Sequence, residues 1–109
     1  MFTVPPQSPV IYTKDKNLAK NLQPFDEDSE LTLVCEVTGG SPLPKVTWHW
    51  NDKIIDNTFQ HIHDITVNRL NITKVTRNLL NAQFTCKSSN TNLIPPITAE
   101  IIVDVNRMC

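Results

Sequence analysis

The stretch LTLVCEV, residues 31–37, places Leu31, Leu33, Cys35 and Val37 on one side of an extended chain and Thr32, Val34 and Glu36 on the other. Alternation with a period of two predicts a half-buried strand. Outward from it, TGGSPLP (38–44) reads as a turn, and KVTWHW (45–50) alternates again, with Val46, Trp48 and Trp50 opposite Lys45, Thr47 and His49. NRLNIT (68–73) sets Leu70 and Ile72 inward and Arg69 and Asn71 outward, and AQFTCKS (82–88) sets Ala82, Phe84 and Cys86 inward. PVIY (9–12) and TAEIIVDV (98–105) complete a series of short strands separated by turns, the pattern of an all-β antiparallel sandwich. Composition agrees: 10 Ile, 9 Val and 12 Thr favour strands, while 8 Pro and 11 Asn mark turns, so long helices are not expected.

At 109 residues the chain is one small domain with a modest core. Ten Lys and Arg, scattered along the chain, against eleven Asp and Glu leave a net charge of −1, which offers no basic footprint for nucleic acid or an anionic membrane. The longest apolar runs, such as Ile101-Ile102-Val103, are strand-sized and far short of a membrane span. The first residues, MFTVPPQSP, lack the basic start, apolar middle and small-residue cleavage site of a secretory signal. Either the chain is not secreted or it is a piece of something longer.

Cys35 and Cys86 share inward parity and lie 51 residues apart, and Trp48 follows the first cysteine by 13 residues on the inward face of the next strand. That spacing lets the two cysteines meet across a sandwich as a disulfide with the indole packed on it. Closing a loop of about 50 residues destabilises the unfolded ensemble by about 4 kcal/mol in the chain-entropy view, comparable to the stability of a small domain. The disulfide implies an oxidising compartment. The alternative is a pair of buried free thiols in a cytosolic domain.

Taken together these residues resemble the immunoglobulin fold over nearly the whole chain. The 37 residues between Trp48 and Cys86 suffice for a short edge strand, a following strand and NRLNIT but are tight for the two extra strands of a variable-type domain, so an intermediate or constant-like set is expected. VTGGSPLPKVTW (37–48) is similar to the proline-containing turn and strand of the intermediate set. Longer strings, VPPQSPVIY (4–12), PFDEDSELTLVCEVTGG (24–40), VNRLNITKVTRNLLNAQFTC (67–86) and SSNTNLIPPITAEIIVDVN (88–106), look like the second immunoglobulin domain of arthropod sidestep-type cell-surface proteins. Two positions depart from the generic pattern: Phe84 stands where a corner tyrosine is common, and DEDS (26–29) replaces a glycine-containing turn.

The resemblance implies an extracellular, membrane-anchored adhesion or axon-guidance molecule whose full-length form binds beaten-path-type immunoglobulin receptors. In that family the contact belongs to the first, variable-type domain, which implies a supporting role for a second domain, monomeric in isolation. Residues 1–6 are then expected to be an inter-domain linker remnant, 7–105 the immunoglobulin-like domain and 106–109 a truncated tail. A secreted decoy or immune factor and an intracellular muscle-type module are the alternatives.

No constellation points to catalysis: no serine sits in a nucleophile-elbow context and no glycine-rich loop precedes a helix. Neither an enzyme, a cofactor nor a small-molecule substrate is expected. His61, His63 and Asp64 lie close in sequence, but His49 points outward from the other sheet and sheets about 10 Å apart keep the three histidines from one metal. Asp26, Glu27, Asp28 and Glu30 could serve calcium, yet adjacent carboxylates before a strand read better as a solvated loop. Asn71-Ile72-Thr73 is an N-x-Thr sequon with Asn71 on outward parity, where a glycan spares the core. Trp50 is expected at the end of the core rather than as an interface anchor, and Cys109 at a truncated end rather than in an intermolecular disulfide.

Overall fold

The alternating stretches become strands wherever one parity can be covered by a second sheet. The computed structural model describes residues 4–19, 21–91 and 94–106. Its strands are β1 (Val10–Thr13), β2 (Leu22–Asp26), β3 (Leu31–Thr38), β4 (Lys45–Trp50), β5 (Lys53–Asp56), β6 (Gln60–Ile62), β7 (Ile65–Ile72), β8 (Gln83–Ser89) and β9 (Ile97–Asn106), with one 3-10 turn at Arg77–Leu79. The first sheet has the order β1-β3-β7-β6 and the second β2-β9-β8-β4-β5. One strand beyond β4 in the second sheet, with β6 kept in the first, is the intermediate arrangement.

The pairing is antiparallel throughout except at β2, which runs parallel to β9 from Leu22 opposite Ile102 to Asp26 opposite Asn106. The antiparallel sandwich expected from the sequence is thus present, with one parallel pair at its edge. After β1 the chain turns at 13–17 and crosses to the other sheet, so it arrives beside β9 pointing the same way. Pro24 inside β2 is tolerated because the strand is an edge.

The inward parities of β3, β4, β8 and β9 meet in the middle. Leu31, Leu33, Val37, Val46, Trp48, Phe84 and Val103 have no exposure to solvent. Each such side chain contributes roughly 1.5–3 kcal/mol on burial. Val75 and Leu79 complete the core from outside the strands, at and before the 3-10 turn. Phe84 faces inward with its ring 5.7 Å from that of Trp50, so the corner is held by aromatic packing where a tyrosine hydroxyl is common. Asp28 takes φ +68°, the left-handed conformation for which glycine is the usual residue and aspartate one of the better substitutes.

At the opposite end, Val4 and Ser41 exchange backbone hydrogen bonds, Val4 N to Ser41 O at 2.8 Å and Ser41 N to Val4 O at 2.9 Å. The Asn90 amide donates to Val4 O at 2.7 Å and to Pro42 O at 3.0 Å. Gly40 takes φ +96°, which strains any other residue, and an added Cβ would sit tightly, 3.2 Å from Pro6 Cβ and 3.3 Å from the Asn90 amide. Residues 4–7 therefore lie against the sandwich, and Gln7 N adds a bond to Thr38 O at 2.9 Å. Cys109, with Met1 to Thr3 and the Asn92-Leu93 pair of the quoted 88–106 string, falls outside the described residues.

Candidate recognition surfaces

At the centre, Cys35 and Cys86 form the disulfide across the two sheets, with Cα atoms 6.5 Å apart. Trp48 is the register partner of Cys86, which sets its indole beside the bridge. The indole N–H donates to the carbonyl of Asn68 at 2.9 Å. Asn68, fully buried and paired with Cys35 in register, returns its side-chain amide to Val46 O at 2.9 Å and Asp56 O at 3.3 Å. One asparagine thus joins β7 of one sheet to β4 and β5 of the other. Sequence reading passed over it, although a polar residue on the inward parity shared by Leu70 is a legible signal that a buried partner must exist.

On the outward face of the second sheet Lys45 and Gln83 are exposed and Thr47, Thr85 and Lys87 half-buried, but His49, expected to point outward, is only 7% exposed. Parity does turn it outward. Ile54 and Thr85 stand opposite it in register on the two flanking strands. Its Nε2 is hydrogen-bonded to the Thr47 hydroxyl at 2.8 Å, and its Nδ1 is buried without a partner. Burial holds the imidazole below the usual histidine value, the Lys87 ammonium adds to that, and Asp52 opposes it. Leu22 and Ile102, register partners on β2 and β9, are both exposed and form a small apolar pair on this face. Trp50 is half-buried against the core.

The first sheet's outward face is built in rows. Tyr12, Val34 and Arg69 are aligned across β1, β3 and β7, as are Val10, Glu36 and Val67. A cleft of about 250 Å³ lies here, lined by Tyr12, Lys14, Lys16, Val34, Glu36 and Arg69. One row further along, Asn71 is exposed, and its Oδ1 accepts a hydrogen bond from the Thr32 hydroxyl at 3.0 Å.

Of the residues weighed for metal binding, His61, Glu27 and Asp28 have other partners. His61 Nε2 donates to Pro44 O at 2.9 Å, and His63 sits in the β6–β7 turn at φ +56°. In the acidic turn Asp28 faces Lys74 at 3.5 Å and Glu27 faces Arg77 at 3.4 Å. Among the described residues, no three His, Cys, Asp or Glu side chains converge in a way that could hold a metal ion.

Several solved structures share this architecture. Rst D1-D2 superposes with a TM-score of 0.73 at 22% identity, over 95% of this chain and 51% of that one. The full ectodomain of mouse nectin-like molecule 4 gives 0.72 at 18% identity, over 94% of this chain and 34% of that one. A chimeric titin Z1Z2 gives 0.65 at 16%, over 98% of this chain and 100% of that one. The chain thus spans about half the length of the first and a third of the second, and at these identities the likeness concerns the fold. No curated protein is significantly similar in sequence. The family profile of the immunoglobulin domain matches residues 3–90. With its sandwich, its bridged sheets and most of its length covered by that profile, the chain belongs to the immunoglobulin-domain family.

Proposed function

We propose that this chain is a non-catalytic extracellular module of a cell-surface adhesion or guidance protein, acting as a supporting second domain of sidestep type. The observation that carries the reading is the Cys35–Cys86 bridge, since a disulfide closing a 51-residue separation persists in an oxidising compartment. The likenesses to the ectodomain of mouse nectin-like molecule 4 and to titin both rest on the shared fold, so the bridge carries the choice between the two settings. Residues 7–105 form the module, with Val4 to Pro6 held against its end. The surfaces favour support over tight recognition. The exposed apolar side chains are dispersed over strands and turns, with Leu22 and Ile102 the pair brought together on the second sheet. A high-affinity contact needs a larger continuous patch.

In the full-length protein, a beaten-path-type receptor is contacted by a preceding variable-type domain, on the extracellular side of the plasma membrane. Surface plasmon resonance tests this with immobilised receptor ectodomain. Residues 1–109 are expected to be monomeric and to bind no better than background, with binding recovered when the preceding domain is attached. Micromolar or tighter binding by residues 1–109 alone overturns the supporting role.

A further inference from the structure

On β7, Val67, Arg69 and Asn71 turn outward in succession, and same-face neighbours on a strand stand about 7 Å apart. Asn71 is therefore one row from Tyr12, Val34 and Arg69, the row that floors the cleft. On the far side the turn at 13–17 is closed by Thr13 N to Asn17 O at 2.8 Å and Lys16 N to Thr13 O at 3.0 Å, with Lys16 at φ +64°. It sets Lys14 and Lys16 along the cleft wall.

The lining has the mixture a sugar ring uses. Tyr12 offers a flat apolar face, Val34 an apolar floor, Arg69 and the two lysines donate to hydroxyl and acetamide oxygens, and Glu36 accepts hydroxyl protons. At about 250 Å³ the cleft lies just under the roughly 300–1,000 Å³ of drug-sized sites, which suits a single ring.

We infer that this cleft is a saccharide site whose occupant is the first sugar of the chain's own N-linked glycan at Asn71. The inference rests on the extracellular reading above, because only passage through a secretory pathway supplies the glycan. The Thr32 hydroxyl holds Oδ1 of the exposed Asn71 side chain, whose Nδ2 is the atom that becomes glycosylated. In the transfer Nδ2 loses one proton and bonds to the anomeric carbon of N-acetylglucosamine as the carbon–oxygen bond to a lipid diphosphate donor breaks, the diphosphate leaving with the electron pair. The sugar then lies back over the neighbouring row. It screens Val34 and narrows the free recognition area of this sheet, leaving the second sheet and the domain ends to protein partners.

The test compares secreted, glycosylated chain with Thr73→Ala, which abolishes the sequon without touching Asn71. A third sample is the glycosylated chain trimmed to its first N-acetylglucosamine. The glycosylated chain should melt about 2–5 °C higher than Thr73→Ala, a shift that a small packing contact gives in a domain of this size. The trimmed form should keep the gap, and either Tyr12→Ala or exposed Arg69→Ala should shrink it to within about 1 °C. Nuclear magnetic resonance shifts between the trimmed and unglycosylated forms should concentrate at Tyr12, Val34 and Arg69. Full glycan mass with no melting gap, a gap unchanged in the Tyr12 and Arg69 variants, or shifts confined to the 71–73 segment overturns the cleft assignment. Absence of added mass on the secreted chain overturns glycosylation itself, while free thiols at Cys35 and Cys86 would instead overturn the extracellular reading.

Discussion

Strand β4 carries a buried polar contact on each of its sides, and the two are made differently. On the inner side the Asn68 amide is taken up by the backbone carbonyls of Val46 and Asp56, next to the disulfide and Trp48. On the outer side the His49 ring is bonded to a side chain, the Thr47 hydroxyl, and each residue leaves one buried polar atom unpartnered, Nδ1 of His49 and Oδ1 of Asn68. Backbone partners move only if the sheet opens, whereas a side-chain partner can swing aside without unfolding the strand. Burial at Asn68 is thus part of the fold, and burial at His49 depends on its neighbours and on protonation.

The largest effect should come from breaking the inner side at its covalent link. Cys35→Ala is expected to cost about 2–5 kcal/mol in denaturant unfolding and to prevent stable folding at body temperature. A loss under about 1 kcal/mol would mean that packing around Trp48 holds the sheets together unaided. Next, Asn68→Ala removes two donated bonds and leaves a small void, for about 2–3 kcal/mol by the same measurement. If Asn68→Ala proved neutral, the contrast drawn between the two sides of β4 would collapse.

The outer side should respond to pH, and more weakly. Because the His49 imidazole is held below its ordinary value, the unfolded chain binds more protons than the folded one at mildly acidic pH. Its contribution to stability is present in full above the unfolded value of about 6.5 and is lost as pH falls from there towards the lowered folded value. His49→Gln should flatten that part of a stability-versus-pH curve measured by urea unfolding. An identical slope in the variant would assign the dependence to another group.

Much of the framework was legible because alternation is a local property. LTLVCEV and KVTWHW became β3 and β4 with the inward parity read from them, and Cys35, Trp48 and Cys86 meet as their spacing predicts. Asn71 is exposed, as its parity requires. β2 was not legible, since LQPFD exposes Leu22 and Pro24 and acquires its meaning from β9, about 80 residues further along. The turn at 26–29 showed the loss of a glycine but not that Asp28 would adopt the left-handed conformation itself.

The residue order alone therefore settles which side chains face inward, because neighbouring positions on an extended chain point to opposite faces whatever the rest of the molecule does. It also settles that two inward cysteines and a tryptophan are spaced to bridge two layers. Closure of the sandwich settles the rest: the parallel pairing of β2, the two carbonyls that receive the Asn68 amide, the burial of His49, and the cleft one row from Asn71. Each of these is made by groups from separate segments of the chain, and their distances exist only once both sheets are packed.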